Sequence, residues 1–523
     1  MKNRLSAFLT LLVGSLWFTP ALVSAQQTCE GLATIKIPNV TITMTTAITP
    51  SPVYEAPNPR VPFWNPEPAK VSVPFCRVAG YAEPAKESHI GFEVWLPVAD
   101  NWNGKYLGIG TPGMVGYIAY GALARNIQYG YATASTDTGH VDIDTPGEAP
   151  TAEWAGITEK VIDWGHRAQH LTTVIAKEVT KAYYGTAIKY AYWNSCHEGG
   201  NQALTELQRY PEDFDGIVVG GPAYYMTRLQ AATLNASLAM VGDGPDSPGF
   251  LPLAKYAAIN RAALDACDDL DGVHDGIIDD PTRCHFDPQT MQCPPYKDEL
   301  SCLTAVQVEA VRKVYAGSKF ADGTEIYPGY EPGSELRWDV LGRGPGPIPV
   351  STGFFQTMVY PNQDWDYHTF DLDRDTRYAE TKLGSMIDSK DPNLKPFKDR
   401  GGKVIMFHAW EESAIPPRGL ENYYKSVVES MGGLEQTQNF ARLFMVAGLG
   451  MCPGFRDPDS FNTQLAIEQW VEQGIAPDTI MAKNKVGDVV HRSRPVCAWP
   501  KVAIYSGSGD TNDAVNFSCG IRE

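Results

Sequence analysis

Positive charge is scarce in this chain. Lys and Arg number 43 against 61 Asp and Glu, a formal net charge of −18 over 523 residues. That balance excludes nucleic acid as a partner, because such binding rests on a basic surface that neutralises phosphates. An anionic membrane surface is excluded for the same reason, and the acidic surplus speaks mainly for a soluble protein. Long apolar runs are missing after residue 25, so no later stretch is fit to span a bilayer. Internal repeats and low-complexity tracts are absent too.

The N-terminus supplies the one apolar run. Lys2 and Arg4 precede Ala7 to about Val23, interrupted by Pro20, and Val23-Ser24-Ala25 offers small residues for cleavage. This reads as a secretory signal over residues 1–25. A membrane anchor is the alternative, and the shortness and interruption of the run count against it. The ten cysteines are Cys29, Cys76, Cys196, Cys267, Cys284, Cys293, Cys302, Cys452, Cys497 and Cys519. An even count behind a signal reads as disulfides in an oxidising compartment. Spacing suggests Cys267–Cys284, Cys293–Cys302 and Cys497–Cys519 as local pairs. Sequons at Asn39, Asn235 and Asn516 fit a secreted glycoprotein.

From about Gly91 strands alternate with helices. Strands are predicted at 92–97, 105–110, 131–137, 189–193 and 217–220, and again at 403–408 and 442–446. Helices are predicted at 163–184 and 201–209. This pattern predicts an α/β protein with a parallel sheet covered on both faces. Residues 225–398 break the pattern with Pro, Gly, Asp, aromatics and four cysteines, and read as an insertion. The expected organisation is a core in two parts, 26–224 and 399–523, around that insertion.

The strand ending at Trp193 turns sharply through Ser195-Cys196-His197-Glu198-Gly199-Gly200 into a helix. Strand, tight turn and helix with small residues around one exposed position form a nucleophile elbow. Anchoring on Gly199 puts His197 at its tip, where a side chain projects into a site. No Ser, Cys or Asp occupies that tip; Cys196 falls one residue early.

At this point the chain resembles the tannase and feruloyl esterase family, which also includes mono(hydroxyethyl) terephthalate hydrolase. The strings that carry the resemblance are Ala134–His140, Tyr210–Ile217 with Gly221-Pro222-Ala223, and Gly401–Ile405 continuing to His408-Ala409-Trp410. The resemblance covers nearly the whole mature chain. It implies an α/β-hydrolase fold with a large inserted lid domain, and a disulfide, Cys196–Cys452, that ties the elbow to a C-terminal loop. With Cys29–Cys76 the expected set is five disulfides. The resemblance also places the triad at His197, Glu412 and Met451, where the family carries Ser, Asp and His. Acyl transfer by that triad needs an oxygen nucleophile and a base to take its proton; His197 is not a hydroxyl and Met451 is not a base. The oxyanion loop departs as well, reading Gly110-Thr111-Pro112-Gly113, and Pro112 has no N–H to donate. The expected oxyanion donors are the backbone N–H groups of Glu198 and Gly113.

A second signal is the loop Cys267 to Asp279, where carboxylates converge around a glycine-bent turn. Calcium takes several hard oxygen ligands in a flexible geometry. The resemblance implies a structural Ca2+ held by Asp268, Asp271, Asp275 and the carbonyls of Val273 and Ile277, with Asp269 and Asp279 outside the ligand set and Cys267–Cys284 as a clamp.

Three functional readings remain open. In the first, His197 oriented by Glu412 serves as a general acid/base on a small aromatic or phenolic compound. Cyclisation, isomerisation or elimination of a phenolic or polyketide-derived natural product would fit. The aromatic-rich insertion (Tyr327, Tyr330, Trp338, Phe354, Phe355, Tyr360, Trp365, Tyr367) supports such a substrate. The second is a carboxylic ester hydrolase of the family's usual type, with water attack assisted by His197. The third is a non-catalytic binder of an aromatic ligand. His140 and His408 are rival bases.

Overall fold

The computed structural model describes residues 26–522 apart from 58–68, 112, 142–148, 343–345, 362–363 and 455–459. The expected leader, 1–25, and Pro112 lie outside the described residues. One sheet of nine strands organises the rest. In chain order these are β1 Val40–Ile48, β2 Phe75–Ala82, β3 Ile90–Pro97, β4 Lys105–Gly108, β5 Ala132–Thr136, β6 Tyr190–Cys196, β7 Gly216–Gly220, β8 Lys403–Ala409 and β9 Ala441–Val446. Their spatial order is β1-β2-β3-β5-β4-β6-β7-β8-β9. Pairing is antiparallel from β1 to β5 and parallel from β5 through β9. The parallel strands read as continuous apolar runs because both faces are covered: β7 is buried throughout and β8 is buried beyond Lys403.

The helices of nine residues or more are α1 Tyr120–Gln128, α2 Ala168–Tyr184, α3 Glu198–Arg209, α4 Met226–Val241, α5 Tyr256–Cys267, α6 Ala305–Ala316, α7 Leu372–Ile387, α8 Arg418–Ser430 and α9 Thr463–Gln473. Alternating strand residues serve opposite faces. Trp193, Ile217 and Val219 pack with α2 and α3 residues such as Ile175 and Leu204. Tyr192, Val218 and Ile405 pack with Ile467 and Trp470 of α9 on the other side. Strand order, parallel run and two-sided helices are those of the α/β-hydrolase fold.

The insertion has a definite place in this topology. β7 and β8 are parallel neighbours, and the chain between them adds no described strand to the sheet. It builds α4 to α7 and a small core of its own around Met240, Tyr330 and Trp338. It is not an independent body. Tyr327, Phe354 and Phe355 belong to the main apolar cluster under the sheet. Where α7 crosses the core, residues Asp163–Arg167 form a π turn ahead of α2. A Cβ on Gly165 would stand 2.4 Å from the Met386 carbonyl oxygen, so only glycine admits α7 there. The helix predicted to start at 163 is therefore π-helical in its first turn.

The ten cysteines form five disulfides: Cys29–Cys76, Cys196–Cys452, Cys267–Cys284, Cys293–Cys302 and Cys497–Cys519. No helix among the described residues is long and apolar enough to cross a membrane.

Candidate active site

Backbone strain marks the elbow. His197, between β6 and α3, has φ 59° and ψ −122°, a conformation that costs a non-glycine residue on the order of 1–3 kcal/mol and persists where its surroundings enforce it. The enforcement is visible. The His197 N–H donates to the Gly220 carbonyl at the end of β7, and its own carbonyl accepts from Gly200 and Asn201 in α3. A Cβ on Gly199 would lie 2.0 Å from Ser195 Oγ, so the helix can pack this tightly against the strand only with glycine there. Ser195 is itself buried beneath the elbow, which removes it as a substitute nucleophile at the tip.

The turn aims the His197 ring at Glu412. Its Nε2 lies 3.1 Å from Glu412 Oε2, with the His197 side chain 18% exposed and that of Glu412 2% exposed. Glu412 follows β8 at its carboxyl end. Its other oxygen, Oε1, accepts the backbone N–H groups of Ser413 and Ala414 at 3.0 and 2.8 Å. Burial alone would push this carboxyl up. The charge and hydrogen bond of His197, then His408 and the Ala414 amide, outweigh burial and hold it down at about 2. The acid is therefore a carboxylate at any physiological pH, locked by two amides and facing an imidazole.

Met451 is brought to the same end of the sheet by a covalent link. Cys452 is bonded to Cys196, the residue before His197, with Cα atoms 6.0 Å apart. Met451 is 37% exposed, and a thioether carries no proton. His408 is the second imidazole nearby. Its Nδ1 lies 3.2 Å from the Ala409 carbonyl oxygen and its Nε2 is buried without a hydrogen-bond partner among the described residues. Burial pushes its pKa down to about 4, so it sits as a neutral ring. His140 is stacked on Trp154 at 4.0 Å between ring centroids, with Nε2 3.2 Å from the Met114 carbonyl oxygen; it is a packed core histidine far in role from the elbow.

Of the expected oxyanion donors, Glu198 opens α3, so its N–H stands at the helix N-terminus where anions are favoured. Gly113 has φ 59°, and Pro112 before it lies outside the described residues. Thr111 is taken up elsewhere: its N–H donates to Gln202 Oε1 and its Oγ1 accepts from Gln202 Nε2, both at 3.1 Å. The pair staples the loop after β4 to α3.

The lid aromatics correct an expectation. Tyr327, Tyr330, Trp338, Phe354 and Phe355 are fully buried, and Tyr360 and Trp365 pack partly buried against the main core. They pack the interior of the lid, and Tyr330 among them lies close enough to Glu412 to feel its charge. The reason is ordinary: large aromatic rings dominate cores as readily as pockets.

In the acidic loop, Asp268 accepts the N–H groups of Asp275 and Gly276 at 3.3 and 2.9 Å. Asp275 Oδ2 pairs with Arg494 at 2.7 Å. Burial first, and then the neighbouring Asp279 carboxylate, push Asp271 up to about 7. Asp279 belongs to the same charge cluster, although it stood outside the expected ligands. The carboxylates of Asp268, Asp271 and Asp275 are not brought together within a single ion's span: among the described residues the one set of three such groups within 4.8 Å of one another is His170, Glu206 and Asp213. The loop's excess negative charge suits a hard dication, while its side chains are here satisfied from within the protein. Ile277 reaches the site loop: a Cβ on Gly448 would lie 2.4 Å from Ile277 Cδ1. Glu411 Oε1 accepts the Gly448 N–H at 2.6 Å.

Comparison with known proteins accords with this geometry. The family described as tannase and feruloyl esterase matches residues 76–520. The chain belongs to this family. An uncharacterised esterase of Xanthomonas campestris pv. campestris is 35% identical, over 95% of this chain and 92% of that protein. A probable feruloyl esterase B-2 of Aspergillus terreus is 32% identical over 86% of each. Among solved structures, feruloyl esterase B from Aspergillus oryzae superposes with a TM-score of 0.86 at 28% identity, covering 94% of this chain and 99% of that one. Within this tannase-family frame the elbow of the present member carries an imidazole.

Proposed function

We propose that this tannase-family member acts on a small aromatic or phenolic compound by general acid–base chemistry, with His197 as the proton-transfer group and Glu412 as the group that orients it. The observation that carries this reading is the His197–Glu412 hydrogen bond at the strained elbow. A carboxylate fixed by two amides sets the ring plane and stabilises the imidazolium that forms when a proton is taken up. Without a hydroxyl at 197 or a base at 451, a covalent acyl-enzyme has no route; the chemistry we favour is cyclisation, isomerisation or elimination. The aromatic substrate class rests on the relatives, which are feruloyl esterases. A second reading is favoured by the same relatives: His197 deprotonates water, which attacks an aromatic carboxylic ester.

Mass spectrometry of product separates the two, since hydrolysis adds water and cyclisation or isomerisation does not. The purified protein is incubated with feruloyl and galloyl esters and with phenolic polyketide acids. Turnover lost in His197→Ala and weakened in Glu412→Gln is expected. Ester cleavage undiminished in His197→Ala would sink both readings, and saturable binding without turnover would leave a binder. We further propose that the Cys267–Asp279 loop binds a structural Ca2+ through Asp268, Asp271, Asp275 and the Val273 and Ile277 carbonyls, the three carboxylates closing in around the ion from the wider spacing they have here, and that the chain is secreted. Five disulfides support an oxidising compartment.

A further inference from the structure

A second cluster of ligand-type side chains lies at the far end of α3 from His197. His170 and Lys177 stand on one face of α2, two turns apart. Glu206 is on the last turns of α3, and Asp213 is in the short link from α3 to β7. His170 Nδ1 lies 2.6 Å from Asp213 Oδ2, and one ligand atom from each of His170, Glu206 and Asp213 falls within 4.8 Å of the others. The Tyr210 ring stacks on His170 at 3.8 Å between centroids and fixes its plane. Lys177 donates to the Asp213 backbone carbonyl, and its Nζ lies 3.8 Å from Asp213 Oδ1.

Glu206 is the anomaly. It is 0% exposed, and neither carboxylate oxygen has a hydrogen-bond partner among the described residues. A buried unpartnered carboxylate costs several kcal/mol unless it is neutralised. A dication would neutralise both carboxylates at once.

We propose that His170, Glu206 and Asp213 form a divalent-metal site, best matched by zinc. One imidazole nitrogen and two carboxylate oxygens, with water completing four-coordination, are a donor set that zinc accepts. The two carboxylates balance the dication. His170 is 23% exposed on its side chain and provides the entry, while Glu206 and Asp213 form the buried floor. Loading balances as follows: any proton on Glu206 or Asp213 leaves to solvent, and the proton that His170 Nδ1 donates to Asp213 Oδ2 moves to Nε2, so that Nδ1 offers its lone pair. The ion would pin the α3–β7 link to α2, a structural role independent of the chemistry at His197.

The test uses the full-length protein, stripped with chelator and then held in excess calcium so that the acidic loop does not compete. Titration with zinc chloride by calorimetry is expected to show one zinc per chain, with a rise in Tm. Glu206→Gln, which keeps the shape and neutrality of the protonated residue, and His170→Asn, at the accessible edge, are each expected to lose that equivalent. Circular dichroism checks that both variants fold, and should Glu206→Gln fail to fold, His170→Asn carries the test. Cobalt(II) in place of zinc is expected to give the absorption of a four-coordinate ion in the wild type alone. No zinc uptake by the wild type, or one equivalent retained by a folded variant, overturns the proposal.

Discussion

Removing the imidazole at 197 should be felt as a pH-dependent loss of stability. In the intact protein the Glu412 carboxyl lies at about 2 against an ordinary 4.5, a gap worth about 3 kcal/mol. A folded-state pKa below the unfolded one contributes stability that is fully present above 4.5 and disappears as pH falls through 2. His197 supplies the largest of the effects opposing burial, so His197→Ala should lose most of that gap, about 2 kcal/mol at pH 7. The variant keeps the strained backbone, since alanine is no easier than histidine at φ 59°, and no relief of strain offsets the loss. Guanidinium unfolding of both proteins at pH 7, 5 and 3 gives the comparison. The deficit should hold from pH 7 to 5, narrow at pH 3, and be partly repaired at pH 7 by adding Glu412→Gln, which leaves a neutral amide where a lone carboxylate would be. A deficit of the same size at every pH would show that His197 stabilises by packing alone and that the ion-pair reasoning is wrong.

Breaking Cys196–Cys452 with paired alanines frees a loop of 256 residues, for which chain entropy sets an upper bound of about 5.5 kcal/mol; a denaturation midpoint within error of wild type would contradict the tether. Calcium chelation should lower Tm, a ligand at a hundredfold excess over Kd being worth about 3 kcal/mol, and Asp271→Asn should abolish that sensitivity; a variant that responds to chelator as the wild type does refutes the ligand assignment. In a glycosylating host, Asn39, exposed ahead of β1, should carry glycan, whereas Asn235 should not. Asn235 lies within α4 with its amide donating to Ser318 Oγ at 3.1 Å, and peptide mass mapping decides both.

Legibility followed burial. β3, β7, β8 and β9 could be placed within a residue or two because strands covered on both faces must read as apolar runs. β1 was not seen: Val40–Ile48 is threonine-rich and nowhere fully buried, so its period is faint. The hairpin of Thr479–Val486 with Val489–Cys497 escaped for the same reason, being rich in lysine and arginine. The elbow was readable from its glycines, since Gly199 is dictated by the Ser195 side chain and Gly200 by the Gly220 carbonyl, and Glu412 came from the family resemblance. The lid aromatics could not be divided between core and site in advance, because composition does not say which way a ring faces. His170, Glu206 and Asp213 gave no signal at all: no motif spacing joins residues that meet only because α2 and α3 lie side by side.

The contact between Ile277 and Gly448 bears on how a substrate gets in. A side chain from the insertion occupies the volume where any other residue at 448 would carry its Cβ, and Glu411 fastens the same glycine from below. The insertion thus latches into the very loop that carries Met451 and Cys452, and that loop is bolted to the elbow. A flap so latched does not swing clear as one piece while the elbow stays still. Opening the insertion as one piece would therefore also displace residues 448–452.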